Sequence, residues 1–146
     1  MKTLASIKEL VLFNVDEMLC GIDISHVQEI NKNLDFTEVY RAPDFVKGVL
    51  NLRGQIVSII DLRVKFKRPA VEMHKAMRVI IVQFNDEKVG LLVDEIKDVI
   101  EVENERLEQA GSNIHGVQAA FFAGMYKMNE DLVVILDILE ILKAHE

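Results

Sequence analysis

Leu10-Val11-Leu12-Phe13-Asn14-Val15, then Asp16-Glu17, then Met18-Leu19-Cys20-Gly21-Ile22-Asp23-Ile24 is the stretch from which the fold is read. Apolar and β-branched residues fill two short arms. An acidic pair separates them, at a place where polar side chains tolerate a left-handed backbone and bond their own chain. The stretch is therefore a β-hairpin. Sixty-nine positions further on it is met again: Phe13 falls on Val82, Val15 on Phe84, Gly21 on Gly90, Ile22 on Leu91 and Ile24 on Val93. Val27 then meets Ile96, Ile30 meets Val99, and the turn Asp16-Glu17 meets Asn85-Asp86.

A second block repeats at an offset of 76: Gly48 on Gly124, Leu52 on Met128, Ile56 on Leu132, Val57 on Val133, Ile59 on Ile135, Ile60 on Leu136 and Asp61 on Asp137. Seven extra residues are thus expected between Glu101 and Phe121, in a stretch containing Asn104, Gly111, Ser112, Asn113 and Gly116. Two matched glycines and a matched aspartate point to an internal duplication rather than a shared strand pattern. Another strand pair is expected on either side of Asn51-Leu52-Arg53-Gly54-Gln55, with its counterpart around Asn129-Glu130-Asp131. Short, evenly spaced strands with no long helical period between them predict a mostly β chain of small barrels and not a parallel sheet. Pro69 marks the junction of two approximate lobes, residues 10–68 and 77–138. Ser25 is expected to cap a turn through Val27-Gln28-Glu29 or to continue an extended strand. The end of the chain, 137–145, is expected to be a short helix packing back on the body.

Composition narrows the function. With 146 residues, half of them apolar, the chain can bury a core as one domain or two small lobes. A formal charge of −7 without a Lys/Arg run disfavours nucleic acid. The one basic cluster, Arg63, Lys65, Lys67 and Arg68, is expected on the solvent face of a strand. Cys20 is the one cysteine, so no disulfide forms within the chain, and it reads as a buried thiol. Met1 to Lys8 lacks an apolar stretch after it, so no export signal and a cytoplasmic location are expected.

Chemistry is sparse. His26, His74, His115 and His145 stand apart from one another and from Cys20, so no metal or cofactor is expected. Asp61 and Asp137 each end an apolar strand and read as caps rather than as paired catalytic carboxylates. An enzyme using Asp61 or Glu29 as base would need a pocket with shifted carboxylates. A proline-peptide module would need an aromatic-lined groove, and the chain has seven Phe, two Tyr and no Trp. Arg53 differs from these. Its repeat partner is Asn129, so the duplication does not require arginine there. Its guanidinium suits either an interface or an internal bond to Glu29 or Asp61.

Phe45-Val46-Lys47-Gly48-Val49-Leu50-Asn51-Leu52-Arg53-Gly54-Gln55-Ile56-Val57-Ser58-Ile59-Ile60-Asp61-Leu62-Arg63 resembles the F-x-x-G-x-x-N-x-R-G-x-x-x-P-x-x-D-L-R signature of CheW-type coupling domains. Gly21 to Ile24, Val27 to Ile30, Val89 to Asp94 and Ile135 to Asp137 resemble the other blocks of that family, in order, over nearly the whole chain. Ser58 departs from the usual proline, and Cys20 from a bulkier residue. The resemblance implies a single domain over 1–146, built as two intertwined five-stranded SH3-like barrels. It implies a non-enzymatic adaptor, recruited to membrane-bound receptor arrays, that binds a chemotaxis histidine kinase regulatory domain and a chemoreceptor signalling tip. Carried over by motif, the receptor-contacting residues are Val27, Glu29, Gly48 and Arg53, with Val99 in the repeat-equivalent block. Apart from the motif, the extra length of the later connection makes Asn113 and Ile114 candidates for a second contact, and the kinase-binding face is left open.

Overall fold

The computed structural model describes residues 4–109, 117 and 119–143. Eleven strands and two short α-helices follow in chain order. They are β1 (Glu9–Val15), β2 (Met18–Asp23), β3 (Val27–Asn31), β4 (Val46–Leu52), β5 (Gln55–Asp61), α1 (Leu62–Lys65), β6 (Arg78–Phe84), β7 (Glu87–Val93), β8 (Glu95–Glu101), β9 (Leu107–Glu108), β10 (Phe122–Met128), β11 (Asp131–Leu136) and α2 (Ile138–Lys143).

The strands form two sheets, ordered β3-β6-β7-β5-β4 and β8-β1-β2-β11-β10-β9. Each sheet takes strands from both sides of Pro69, so the division into residues 10–68 and 77–138 describes the sequence and not the sheets. The mostly β character is as expected. The count of five strands holds for one sheet, and the other adds β9, a strand of two residues. Even β9 has a counterpart. Glu108 pairs with Met125, and Thr37 makes a single bridge to Val49, the residue 76 positions before Met125.

The offsets of 69 and 76 recur in the pairing. Ile59 lies beside Gly90 in the parallel pair β5–β7, and Ile135 lies beside Gly21 in the parallel pair β11–β2. A register shift falls between Val46 and Gly48 and again between Phe122 and Gly124. The Asp61 N–H donates to the Phe45 carbonyl at 2.7 Å, and the Asp137 N–H to the Phe121 carbonyl at 2.8 Å.

Side chains alternate across each strand, and in β1, β2, β6 and β7 both faces are buried. Val11, Phe13 and Val15 enter a central cluster shared with Ile60, Ile80, Val82 and Leu91 of the other sheet. Leu10 and Leu12 enter a second cluster with Tyr126, Val133 and Ile135. The matching cluster of the five-stranded sheet holds Leu50, Val57, Ile59, Val79 and Ile81. Burial on both faces is why the strands read as continuous apolar runs. Cys20 is buried in the central cluster, where desolvation raises its thiol pKa far above the ordinary value.

Of the two continuations expected after Ser25, the extended one is found. A single 3-10 turn covers Ile24–His26, Asp23 caps it by accepting from the Ser25 N–H at 3.0 Å, and the chain then extends as β3. The terminal helix begins at Ile138, after Asp137 accepts from the Glu140 N–H, and buries Ile138, Ile141 and Leu142. The basic cluster is not the solvent face of a strand. Asp61 caps α1 by accepting from the Arg63 N–H at 3.0 Å, and the helical turn that follows points Lys65 inward. Arg63 and Arg68 are drawn back onto carboxylates. Arg63 bonds Asp94 through Nε at 2.9 Å, and Arg68 bonds Asp16 through Nε at 2.8 Å. The Asp16 N–H donates to Asp94 at 2.7 Å, which closes a cluster between the β1–β2 turn of one sheet and the end of β7 in the other.

Candidate partner-binding site

The β4–β5 turn is short because only Arg53 and Gly54 connect the strands. Both take the left-handed backbone, at φ 50° and 88°. Glycine does so without penalty, whereas arginine is strained there. Asn51 braces the turn, its Oδ1 accepting the Gly54 N–H at 3.0 Å. The arginine is thereby held at a tip with its side chain 74 % exposed.

β3 and β4 are the outer strands of the five-stranded sheet in its bonding order, yet Arg53 reaches across to β3. Its guanidinium donates to Glu29 Oε1 at 2.6 Å. The internal bond weighed from sequence is therefore made to Glu29, while Asp61 serves as the helix cap. Hydrogen bonding from Arg53 holds the Glu29 carboxyl below its ordinary pKa, with Lys88 adding a smaller effect. An exposed pair of this kind contributes little to folding. It orients Arg53 and leaves its remaining N–H groups turned to solvent.

Around this pair lies a shallow depression lined by Ser25, His26, Val27, Gln28, Glu29, Arg53 and Gln83. The Gln28 amide donates to the Gln83 side-chain oxygen across the β3–β6 pair. The His26 ring rests on Phe84 with centroids 5.3 Å apart. Every polar side chain named here can give or take a hydrogen bond, so the depression suits a polar partner surface better than an apolar one.

Of the expected contact residues, Val27, Glu29 and Arg53 come together here. Gly48 does not join them: it is buried, and a Cβ placed on it would stand 2.5 Å from the Thr37 carbonyl oxygen. Its place in the motif reflects close passage of the chain at Thr37 and not a presented side chain. Val99 lies on β8, in the other sheet, and is 46 % exposed. Its repeat counterpart Ile30, on β3, is 40 % exposed. Asn113 and Ile114 lie outside the described residues. Sequence reading did not select Gln83, because only the β3–β6 pairing carries it 55 residues across to Gln28. Gln28 stood inside a quoted motif, and its alternation with Val27 and Glu29 was the available signal.

Asp61 and Glu29, the candidate bases of an enzyme, are occupied as cap and ion-pair partner. Burial raises the Asp61 pKa against its two backbone hydrogen bonds. Among the described residues no three His, Cys, Asp or Glu side chains gather as a metal site, and no helix is long and apolar enough to cross a membrane.

Comparison with known proteins follows the same line. The CheW-like domain family matches residues 9–146. A chemotaxis protein CheW from Klebsiella aerogenes is 35% identical over 139 residues, covering 95% of this chain and 84% of the relative. The crystal structure of the scaffolding protein TtCheW from Thermoanaerobacter tengcongensis superposes with a TM-score of 0.82 at 32% identity, over 90% of this chain and 84% of that one. A sensor histidine kinase, CheAY of Helicobacter pylori, is 30% identical over 146 residues, which are 98% of this chain and 18% of the kinase.

Proposed function

The chain belongs to the CheW-like domain family, and from that premise we propose that it is a non-enzymatic cytoplasmic adaptor coupling chemoreceptors to a chemotaxis histidine kinase. The observation that carries the reading is Arg53, strained and braced at an exposed tip where the repeat-equivalent residue is asparagine. A fold that held arginine there for stability alone would bury the guanidinium or saturate its donors.

We take each sheet to be a closed SH3-like barrel and the pair to descend from a duplication, with the lobes exchanging strands inside one domain. Glu29 and Arg53 join the two outer strands of one sheet, as closure requires. The similarity to part of a sensor kinase supports a partner built on a domain of the same kind. A domain of that kind can dock end to end through a heterologous contact, which extends to rings. The depression at Val27, Glu29 and Arg53 is assigned to the receptor. Binding receptor and kinase on separate faces raises their effective concentration for each other.

Titration of the chain against a kinase regulatory domain, and separately against a receptor signalling-tip fragment, tests the reading with wild type and Arg53→Glu side by side. Binding to both, with loss of receptor affinity alone in the variant, supports it. A folded chain that binds neither sinks the coupling role.

A further inference from the structure

Gln28 and Gln83 form a second polar link beside that of Arg53 and Glu29. Gln28, on β3, donates from its amide to the side-chain oxygen of Gln83, on β6. Both line the depression with Val27, Glu29 and Arg53. Sixty-nine positions away, the counterpart of Gln28 is Lys97 and that of Gln83 is Asn14. Lys97 bonds Glu95 of its own strand at 3.5 Å, so the sheet containing β8 is built without this link. It is built without the other one too. Asn129 stands for Arg53 there, and Asp98, the counterpart of Glu29, accepts the Val99 N–H at 2.8 Å. The β1–β8 pairing forms without either link, so the equivalent β3–β6 pairing does not require them.

We propose, resting on the receptor assignment of this depression, that the Gln28–Gln83 pair is a specificity-determining contact that takes a side-chain carboxamide, an asparagine or glutamine of the receptor segment. A glutamine amide carries two N–H donors and an accepting oxygen. The bond between the pair uses one N–H of Gln28 and the oxygen of Gln83. Among the described residues neither side chain has a further partner. Both N–H groups of Gln83, and the oxygen and one N–H of Gln28, are thus open to an incoming group. A carboxamide answers donors and acceptor together, because it places a carbonyl and an NH2 at one end of a side chain. A carboxylate answers the donors alone and meets the Glu29 carboxylate nearby. A trans backbone peptide turns its carbonyl and N–H to opposite sides, so it cannot give both to one pair. An aliphatic residue leaves the amides without partners once water is excluded, which is how such a site rejects it.

Wild type and Gln83→Met, which keeps the length of the side chain and loses the amide, are titrated with the receptor signalling-tip fragment and with the kinase regulatory domain. Gln83→Met is expected to weaken the receptor fragment roughly five- to tenfold, with kinase affinity and melting temperature unchanged. Gln28→Leu, run alongside, is expected to behave alike, so the result does not hang on one variant. Each asparagine and glutamine of the fragment is then replaced in turn by alanine. One replacement is expected to weaken wild type to the same extent and to cost nothing further in Gln83→Met. Unchanged receptor affinity in both variants, or losses that add to every fragment replacement, overturns the proposal; if Arg53→Glu still loses the receptor, the receptor reading stands without it. A wild-type chain that does not bind the fragment overturns both.

Discussion

The β4–β5 and β10–β11 turns occupy equivalent places and have opposite characters. In the first, Arg53 adopts a left-handed backbone and Asn51 braces Gly54. In the second, Asn129 is tolerant of that backbone but is not among the described residues that adopt it, and Lys127 stands where Asn51 would be. The residue that strains at positive φ is the one held there, and the residue suited to it is not. Beneath both turns the strands keep the same register and the same bulge. The turns differ above strands whose pairing is kept, which is where a surface can change without disturbing the fold beneath it.

Four measurements break or sharpen that contrast. The deepest concerns the paired glycines. A Cβ at Gly48 meets the Thr37 carbonyl oxygen at 2.5 Å, and one at Gly124 meets the Glu108 carbonyl oxygen at 2.8 Å. Gly48→Val is expected to lose about 3 kcal/mol or more in urea unfolding, and Gly124→Val less; the reverse order would mean the two close approaches are not equivalent. Next is the ionic cluster. Arg63→Leu copies the second repeat, where Leu139 stands, and strands the Asp94 carboxylate, whose side chain is 14% exposed. A loss of about 2 kcal/mol is expected, partly restored by adding Asp94→Ser, which copies Ser25; no recovery would show that the two substitutions act independently.

The turn itself comes third. Arg53→Asn, which makes the two tips alike, is expected to weaken a receptor fragment by roughly tenfold while leaving the melting curve in place. Asn129→Arg is expected to change neither. The smallest effect is in acid. Hydrogen bonding from Arg68 holds the Asp16 carboxyl below its ordinary value of 3.8. A depressed carboxyl stabilises the fold above its unfolded value, and that contribution is lost as pH falls through the folded one. Urea midpoints of Arg68→Gln should therefore fall less steeply than wild type on acidification below about pH 4. Parallel curves would remove Asp16 from the account. Asp61 works in the opposite sense: burial raises its pKa, so its protonation favours the fold as pH falls.

Much of the candidate site was legible because its signals are local. Arg53 stood out as the arginine the duplication did not need, and Glu29 was named as its possible internal partner. Gly48 was selected from its motif position, which says that a residue is needed and not why. Its reason is a carbonyl eleven residues away, visible only once Thr37 crosses β4. Lys65 misled for a related cause. Its neighbours Arg63, Lys67 and Arg68 made a basic cluster look solvated, and only the helical turn capped by Asp61 points that one lysine inward.

The sequence by itself determined where strands begin and turn, because alternating apolar residues, turn-forming acids and glycines act over a few residues. It also determined that the pattern occurs twice. Which strand lies beside which was decided by the tertiary structure. β2 and β5 are both apolar on two faces, so neither carries a local mark of its neighbour. Yet β2 lies against β11 and β5 against β7, each across the repeat boundary. Gly21 and Gly90 leave the room that the side chains of Val133 and Ile59 need there, a fit between surfaces more than thirty residues apart in the chain that no short-range pattern records.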